Sequence, residues 1–218
     1  MTRSPRAATY SAVLFDFGGV VLTSPFDAFN EYERANGLPD GFIRGVNARD
    51  PDSNAWARLE RAELDGDGFD SAFGDESALL GHRVPGAAVV ALLAGSIRDE
   101  MVEAIEDVRR RGLLTACLTN NVVNSSPQTG SEIAAVMSLF DDVVESSVIG
   151  VRKPEPRFYE ITCELLDVRP EECVFLDDLG VNLKPARTMG MTTIKVADAD
   201  EALAELSDVL DFDVLAAT

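Results

Sequence analysis

Apolar and polar positions along this chain fall into short, distinct blocks. Ser11-Ala12-Val13-Leu14-Phe15 is mostly apolar and rich in β-preferring residues, the pattern of a buried strand. From about residue 24 to residue 96 no convincing strand follows. Phe26–Asn36 has apolar or aromatic positions at Phe26, Phe29 and Tyr32 and is ended by Gly37 and Pro39, which predicts a helix. Further short helices are expected over Asp40–Asn47, Asn54–Leu64 and Phe69–Leu80. They are separated by Pro51 and the Asp65-Gly66-Asp67-Gly68 turn, and one more is expected around Val89–Leu93. Beyond residue 97 the pattern alternates. Helices at Arg98–Arg111, Ser131–Leu139, Glu155–Leu166 and Val181–Met189 interleave with strands at Leu113–Leu118, Val143–Val144, Cys173–Leu176 and Thr192–Val196. Pro154 suits a first-turn position of the helix that follows it. The alternation predicts an α/β fold, a parallel sheet with helices on both faces, built from residues 1–23 and 97–218. Residues 24–96 then form a small all-helical cap inserted after the first strand, above the carboxyl ends of the strands, where it can exclude water and select a substrate.

Composition narrows the partners. The chain has 218 residues, 46% hydrophobic and 26% charged, enough to bury a sizeable core in a soluble globular fold. Its formal net charge of −19 argues against nucleic acid or an anionic membrane surface as partner. A small anionic substrate is still allowed, because a local cation or metal can dominate a site. No stretch approaches the length of a membrane span. Met1–Tyr10 is polar and basic and does not read as a signal peptide, so a cytoplasmic protein is expected. Cys117, Cys163 and Cys173 show no metal-like spacing, and Cys117 and Cys173 lie in apolar strand-like runs that suit buried thiols. The sole histidine, His82, precedes Val84-Pro85-Gly86 and reads as a helix end, which disfavours a His-centred triad.

Candidate chemistry gathers where predicted strands end. The first strand ends in Asp16, before Phe17-Gly18-Gly19. A second ends in Thr119-Asn120-Asn121, and a third in Asp177-Asp178, followed by Asn182. Between the last two lies Gly150-Val151-Arg152-Lys153-Pro154, and lysine occurs elsewhere only at Lys184 and Lys195. In a parallel sheet these strand ends converge on one crevice. Carboxylates are hard oxygen ligands suited to Mg2+, while a hydroxyl, backbone N–H groups and an ammonium suit phosphate oxygens. The inventory fits phosphoryl transfer through an aspartyl-phosphate. Asp16, Thr119, Asn120, Asp177 and Asp178 also have a plainer reading as turn formers or helix caps, and Lys153 as a solvated surface lysine. The acidic run Asp65–Asp70 lacks the spacing and terminal Glu of a calcium loop and reads as a helix boundary.

Four stretches, Phe15–Val21, Leu118–Asn121, Gly150–Pro156 and Val174–Gly190, together resemble the ordered motifs of the haloacid dehalogenase-like hydrolases. The chain is most similar to the group containing the amino-terminal phosphatase domain of soluble epoxide hydrolase. That resemblance implies a Rossmann-like core with a helical cap and Mg2+-dependent hydrolysis of a small phosphorylated metabolite. By motif it implies Asp16 as nucleophile and metal ligand, and Thr119 and Asn120 as the group binding phosphoryl oxygens. It implies Lys153 as the cation steadying the phosphoaspartate and Asp178 as metal ligand, with Asp177 and Asn182 supporting them. It is compatible with a homodimer, and the sequence specifies neither oligomeric state nor substrate.

One position departs from the family pattern. Where its phosphatases carry a second Asp, this chain has Gly18. A glycine keeps the backbone carbonyl that the family uses as a metal ligand and loses the side chain that serves as general acid and base. Asp27 or Glu31 of the cap are candidates to replace that group, by proximity in sequence. Alternatively the substrate has a good leaving group, or the protein binds phosphate-bearing ligands with little turnover, as a binding or interaction protein on the same fold. Dehalogenation is disfavoured by the retained Asp177-Asp178 pair.

Overall fold

A computed structural model of the chain describes residues 10–122 and 130–215. The amino-terminal segment read above as polar and basic lies outside these residues except for Tyr10. Among the described residues five strands form one sheet: β1 (Ala12–Asp16), β2 (Leu114–Thr119), β3 (Asp142–Glu145), β4 (Cys173–Asp177) and β5 (Thr192–Lys195). Their spatial order is β3-β2-β1-β4-β5, and every pairing is parallel. The chain first builds outward from β1 through β2 to β3, then crosses back to add β4 and β5 on the other side. The carboxyl ends of β1 and β4 therefore flank the topological switch point, where open α/β sheets leave a crevice.

Alternation along the strands divides the core. Val13 and Phe15 of β1 join an apolar cluster with Met101, Ile105, Val108 and Leu206 on one face of the sheet. Ala12 and Leu14 point to the other face, among Phe158, Tyr159, Phe175 and Leu183. The first cluster is covered by α6 (Asp99–Arg110), α7 (Gly130–Met137) and α11 (Ala199–Leu210), the second by α9 (Pro156–Leu166) and α10 (Gly180–Met189). Because β1 is central, all its residues are buried and its pattern is a continuous apolar run up to Asp16.

Between the sheet's first two strands lie five helices, α1 (Phe26–Ala35), α2 (Phe42–Ala48), α3 (Ala55–Glu60), α4 (Gly66–Leu79) and α5 (Gly86–Ala91). They pack around their own cluster, which includes Phe29, Ile43, Leu59, Phe69 and Phe73. Buried Glu33 ties α1 to α2 by accepting the backbone N–H groups of Gly41 and Ile43 at 2.7 and 2.8 Å. Asn54 and Asp65 cap α3 and α4 through Ala57 N–H and Gly68 N–H. The acidic run at residues 65–70 is thus a helix start. The chain leaves and re-enters the sheet layer side by side: Thr23 N–H bonds Ser96 O at 2.9 Å and Arg98 N–H bonds Val21 O at 2.9 Å.

Several expectations need correction. The first-turn proline of α9 is Pro156. Pro154 lies before the helix, in the loop carrying Lys153, and the Lys153–Pro154 peptide is cis. The helix expected over residues 54–64 ends at Glu60, because Ala62 takes a positive φ of 56°. Two helices were not anticipated: α8 (Ser146–Ile149), a single turn, and α11, whose acidic sequence hides a periodic stripe at Ala199, Ala202, Leu203 and Leu206. No helix among the described residues is long and apolar enough to cross a membrane.

Phe73 is fully buried in the cluster of the five-helix insert. Phe73→Ala is expected to cost about 3–5 kcal/mol, the usual penalty for emptying an aromatic core position, seen as a lowered midpoint in urea denaturation.

Candidate active site

Asp16 is the last residue of β1, directly before a π-type turn over Phe17–Val21 that Leu22 N–H closes onto Phe17 O at 2.8 Å. Its Oδ1 accepts Phe17 N–H at 2.6 Å and lies 2.8 Å from Lys153 Nζ. Among the described residues its Oδ2 has no protein hydrogen bond. The turn places two glycines with opposite requirements. Gly19 has φ +85°, and a Cβ added there would lie 2.3 Å from Asp178 Oδ2, so the Asp178 carboxylate rests against the glycine itself. Gly18 has φ −74° and ψ 122°, values open to any residue; it is exposed, and an added Cβ would meet nothing within 4 Å. Only Gly19 is demanded by the backbone.

Lys153 is 1% exposed, and its ammonium sits 2.8 Å from both Asp16 Oδ1 and Asp177 Oδ2. It also lies 5.6 Å from the centroid of the Phe175 ring. Burial alone would discharge a lysine, but the two carboxylates outweigh it and push the ammonium's pKa well above its ordinary value. Asp177, on β4, is fully buried; it accepts Asn182 Nδ2 and Leu179 N–H, the latter at 2.8 Å. Tyr159 OH donates to Asn182 O at 2.7 Å, which fixes the start of α10 beneath the carboxylates.

Oxygens of Asp16, Asp177 and Asp178 lie within 4.8 Å of one another. Burial and the Asp177 charge push the Asp178 carboxyl up to about 6, while Lys153 and Arg98 oppose the rise. Burial, then Asp177, hold Asp16 well above the usual carboxylate range despite Lys153. Three carboxylates facing one ammonium form a hard-oxygen set with unbalanced negative charge, which a divalent cation such as Mg2+ fits.

Register brings the second strand end alongside. Leu118 pairs with Asp16, which sets Thr119 one step beyond, 7% exposed and with no hydroxyl partner among the described residues. The Asn120 side chain is committed elsewhere: Oδ1 accepts Lys153 N–H at 2.8 Å and Nδ2 donates to Lys153 O at 2.9 Å. Its role toward the lysine loop is therefore visible in the hydrogen bonds. The same Nδ2 donates to Glu60 Oε2 of α3 at 3.2 Å. Glu60 and its ion-pair partner Arg152 were missed by sequence reasoning. An acid in a short helix carries no signal of burial, and Arg152 was overshadowed by Lys153. Asp27 and Glu31 are exposed on α1 and form no ion pair or hydrogen bond with the cluster. His82 lies edge-on to Phe42 at 5.3 Å, within the insert.

This fold and site place the chain in a known class. It belongs to the haloacid dehalogenase-like hydrolase family, whose model matches residues 10–190. It is 37% identical to acyl-CoA dehydrogenase family member 10 of Mus musculus over 94% of this chain and 19% of that protein. It is 32% identical to bifunctional epoxide hydrolase 2 of Sus scrofa over 94% of this chain and 39% of that protein. The chain thus spans well under half the length of these two relatives. Phosphatase MT3486 of Mycobacterium tuberculosis is 34% identical, with 83% of this chain and 84% of that protein covered. A solved structure of a HAD family enzyme from Bacteroides thetaiotaomicron, in complex with magnesium and inorganic phosphate, superposes with a TM-score of 0.57 at 18% identity, covering 85% of this chain and 93% of that one.

The two glycines should separate in the laboratory. Gly19→Ala is expected to lose more than about 1 kcal/mol from its left-handed backbone alone, with a lower melting temperature. Gly18→Ala should stay within about 0.5 kcal/mol of the wild type, as an open surface position does.

Proposed function

We propose that this chain is a Mg2+-dependent phosphatase of a small phosphorylated metabolite, working through Asp16. The observation that carries the reading is the Asp16 carboxylate, oriented through Oδ1 by Phe17 N–H and Lys153 and clustered with Asp177 and Asp178. The phosphatase among its relatives covers most of both chains and supports it, as does the magnesium and phosphate complex of the fold neighbour.

In this reading Asp16, Asp178 and the Gly18 carbonyl would hold Mg2+, which would neutralise phosphoryl charge. An Asp16 carboxylate oxygen attacks phosphorus, the bond from phosphorus to the leaving oxygen breaks, and an aspartyl-phosphate forms. Thr119, whose hydroxyl has no partner among the described residues, and the backbone at Asn120 bind phosphoryl oxygens. Lys153 offsets the charge that builds between Asp16 and the phosphoryl group. Asp177 and Asn182 hold the ammonium and the α10 start in place. Water then attacks phosphorus, the Asp16–phosphorus bond breaks, and the carboxylate is restored with release of phosphate.

No side chain at position 18 protonates the departing oxygen. That favours substrates whose leaving group needs little protonation. It also favours the second reading, a catalytically weak phosphate-binding or interaction protein. Substrate transformation separates the two: a phosphometabolite panel with Mg2+ should reveal phosphate release, whereas Mg2+-dependent binding without turnover across the panel supports the second reading. Asp16→Asn should abolish phosphate release; undiminished release would sink the nucleophile assignment. Gly18→Asp, for which the backbone and the open space leave room, should raise kcat on poor leaving groups, toward the roughly 10²–10⁴-fold that a placed general acid supplies.

A further inference from the structure

Glu60 is 6% exposed, yet it belongs to none of the motifs at the strand ends. Three donors from three parts of the chain converge on its carboxylate. Trp56 Nε1 donates to Oε1 at 2.8 Å from within α3. Asn120 Nδ2 donates to Oε2 at 3.2 Å from the end of β2, and Arg152 Nε bonds the same oxygen from the loop before α9. An acceptor-only, ionised carboxylate satisfies this set fully, which makes Glu60 a poor replacement for the proton donor missing at Gly18. Burial raises its carboxyl above the ordinary range and Arg152 opposes that rise.

Two of these partners, Asn120 and Arg152, have a common neighbour in Lys153. Asn120 clips both backbone groups of Lys153, and Arg152 precedes Lys153 in the chain. Arg152 also reaches back to the insert, donating from Nη1 to Pro51 O at 3.1 Å. Farther out, Arg61 Nη1 lies 3.2 Å from Glu155 Oε1, a second ion pair linking the segment after α3 to the loop. The loop that delivers the buried ammonium is thus held on one side by the sheet and on the other by α3.

We propose that Glu60 is a positioning residue: through Asn120 and Arg152, helix α3 of the insert sets the placement of Lys153. Seating of the insert and alignment of the nucleophile's cation are then a single event. A buried carboxylate with two partners that hold one loop transmits displacement, because losing it removes the acceptor that Asn120 Nδ2 and Arg152 Nε share.

The proposal rests on the phosphatase reading only for its turnover measurement. Single removal of either charge strands the other in the protein, so Glu60→Ala confounds position with stability; the paired variant Glu60→Met with Arg152→Met keeps the volume and removes both charges, a replacement that buried ion pairs often tolerate. Two quantities are read on that folded double variant. The Lys153 backbone amide, now bonded to Asn120 Oδ1, should exchange with solvent at least about tenfold faster by NMR, as a loosened hydrogen bond does. On a generic phosphoester with Mg2+, kcat should fall at least about tenfold with KM within about threefold, the signature of a misplaced catalytic group. A purely structural ion pair predicts wild-type exchange at Lys153 and wild-type kcat, and that result overturns the proposal. If the wild type itself releases no phosphate, the phosphatase reading fails, and the exchange rate alone decides the role of Glu60.

Discussion

Everything at the mouth of this sheet depends on one buried ammonium. Lys153 carries a full charge at 1% exposure, and two carboxylates at 2.8 Å make that charge tolerable. The carboxylates come from adjacent strands, Asp16 from β1 and Asp177 from β4, whose parallel register pairs Phe15 with Leu176 and sets the two acids side by side. Neither acid nor the lysine would be stable there alone, since an unpaired buried ion costs several kcal/mol. Their association therefore ties the sheet register, the lysine loop and the start of α10 into one unit. Asp178 adds a carboxylate that the ammonium cannot neutralise, which leaves an oxygen set that could hold a divalent cation.

The glycine pair after Asp16 shows how one short turn serves two purposes. Gly19 lets the chain take a left-handed conformation and lets the Asp178 carboxylate rest against it. Gly18 has no such constraint, and its missing side chain is a matter of chemistry rather than geometry. The turn accepts a side chain at 18 without strain and without disturbing the surroundings of Asp16. Substrate chemistry, in the proposed reading, supplies what the turn does not.

The helical insert contacts the loop that carries Lys153 through Glu60, Arg61 and the Pro51 carbonyl. None of this could be read from α3 in isolation. Trp56-Ala57-Arg58-Leu59-Glu60 looks like any short amphipathic helix, and the burial of Glu60 is decided by residues about 60 and 92 positions away. Asp27 and Glu31, nearer in sequence to Asp16, stay on the exposed side of α1.

The sequence by itself determined the alternating α/β plan, the helical insert between the first two strands, and the identity of Asp16, Lys153, Asp177 and Asp178 as a group. Those features follow from local periodicity and from polar residues placed where apolar strands end, signals that survive without knowledge of packing. Short-range reading misplaced the helix-starting proline and overlooked α11, because an acidic surface masks its apolar stripe. The tertiary structure alone decided which acid the insert delivers, that Asn120 clips the Lys153 backbone, and that Gly18 is open while Gly19 is closed by Asp178. Each of these is a contact between segments distant in the chain. Such contacts are set by strand order and register, which no local pattern encodes.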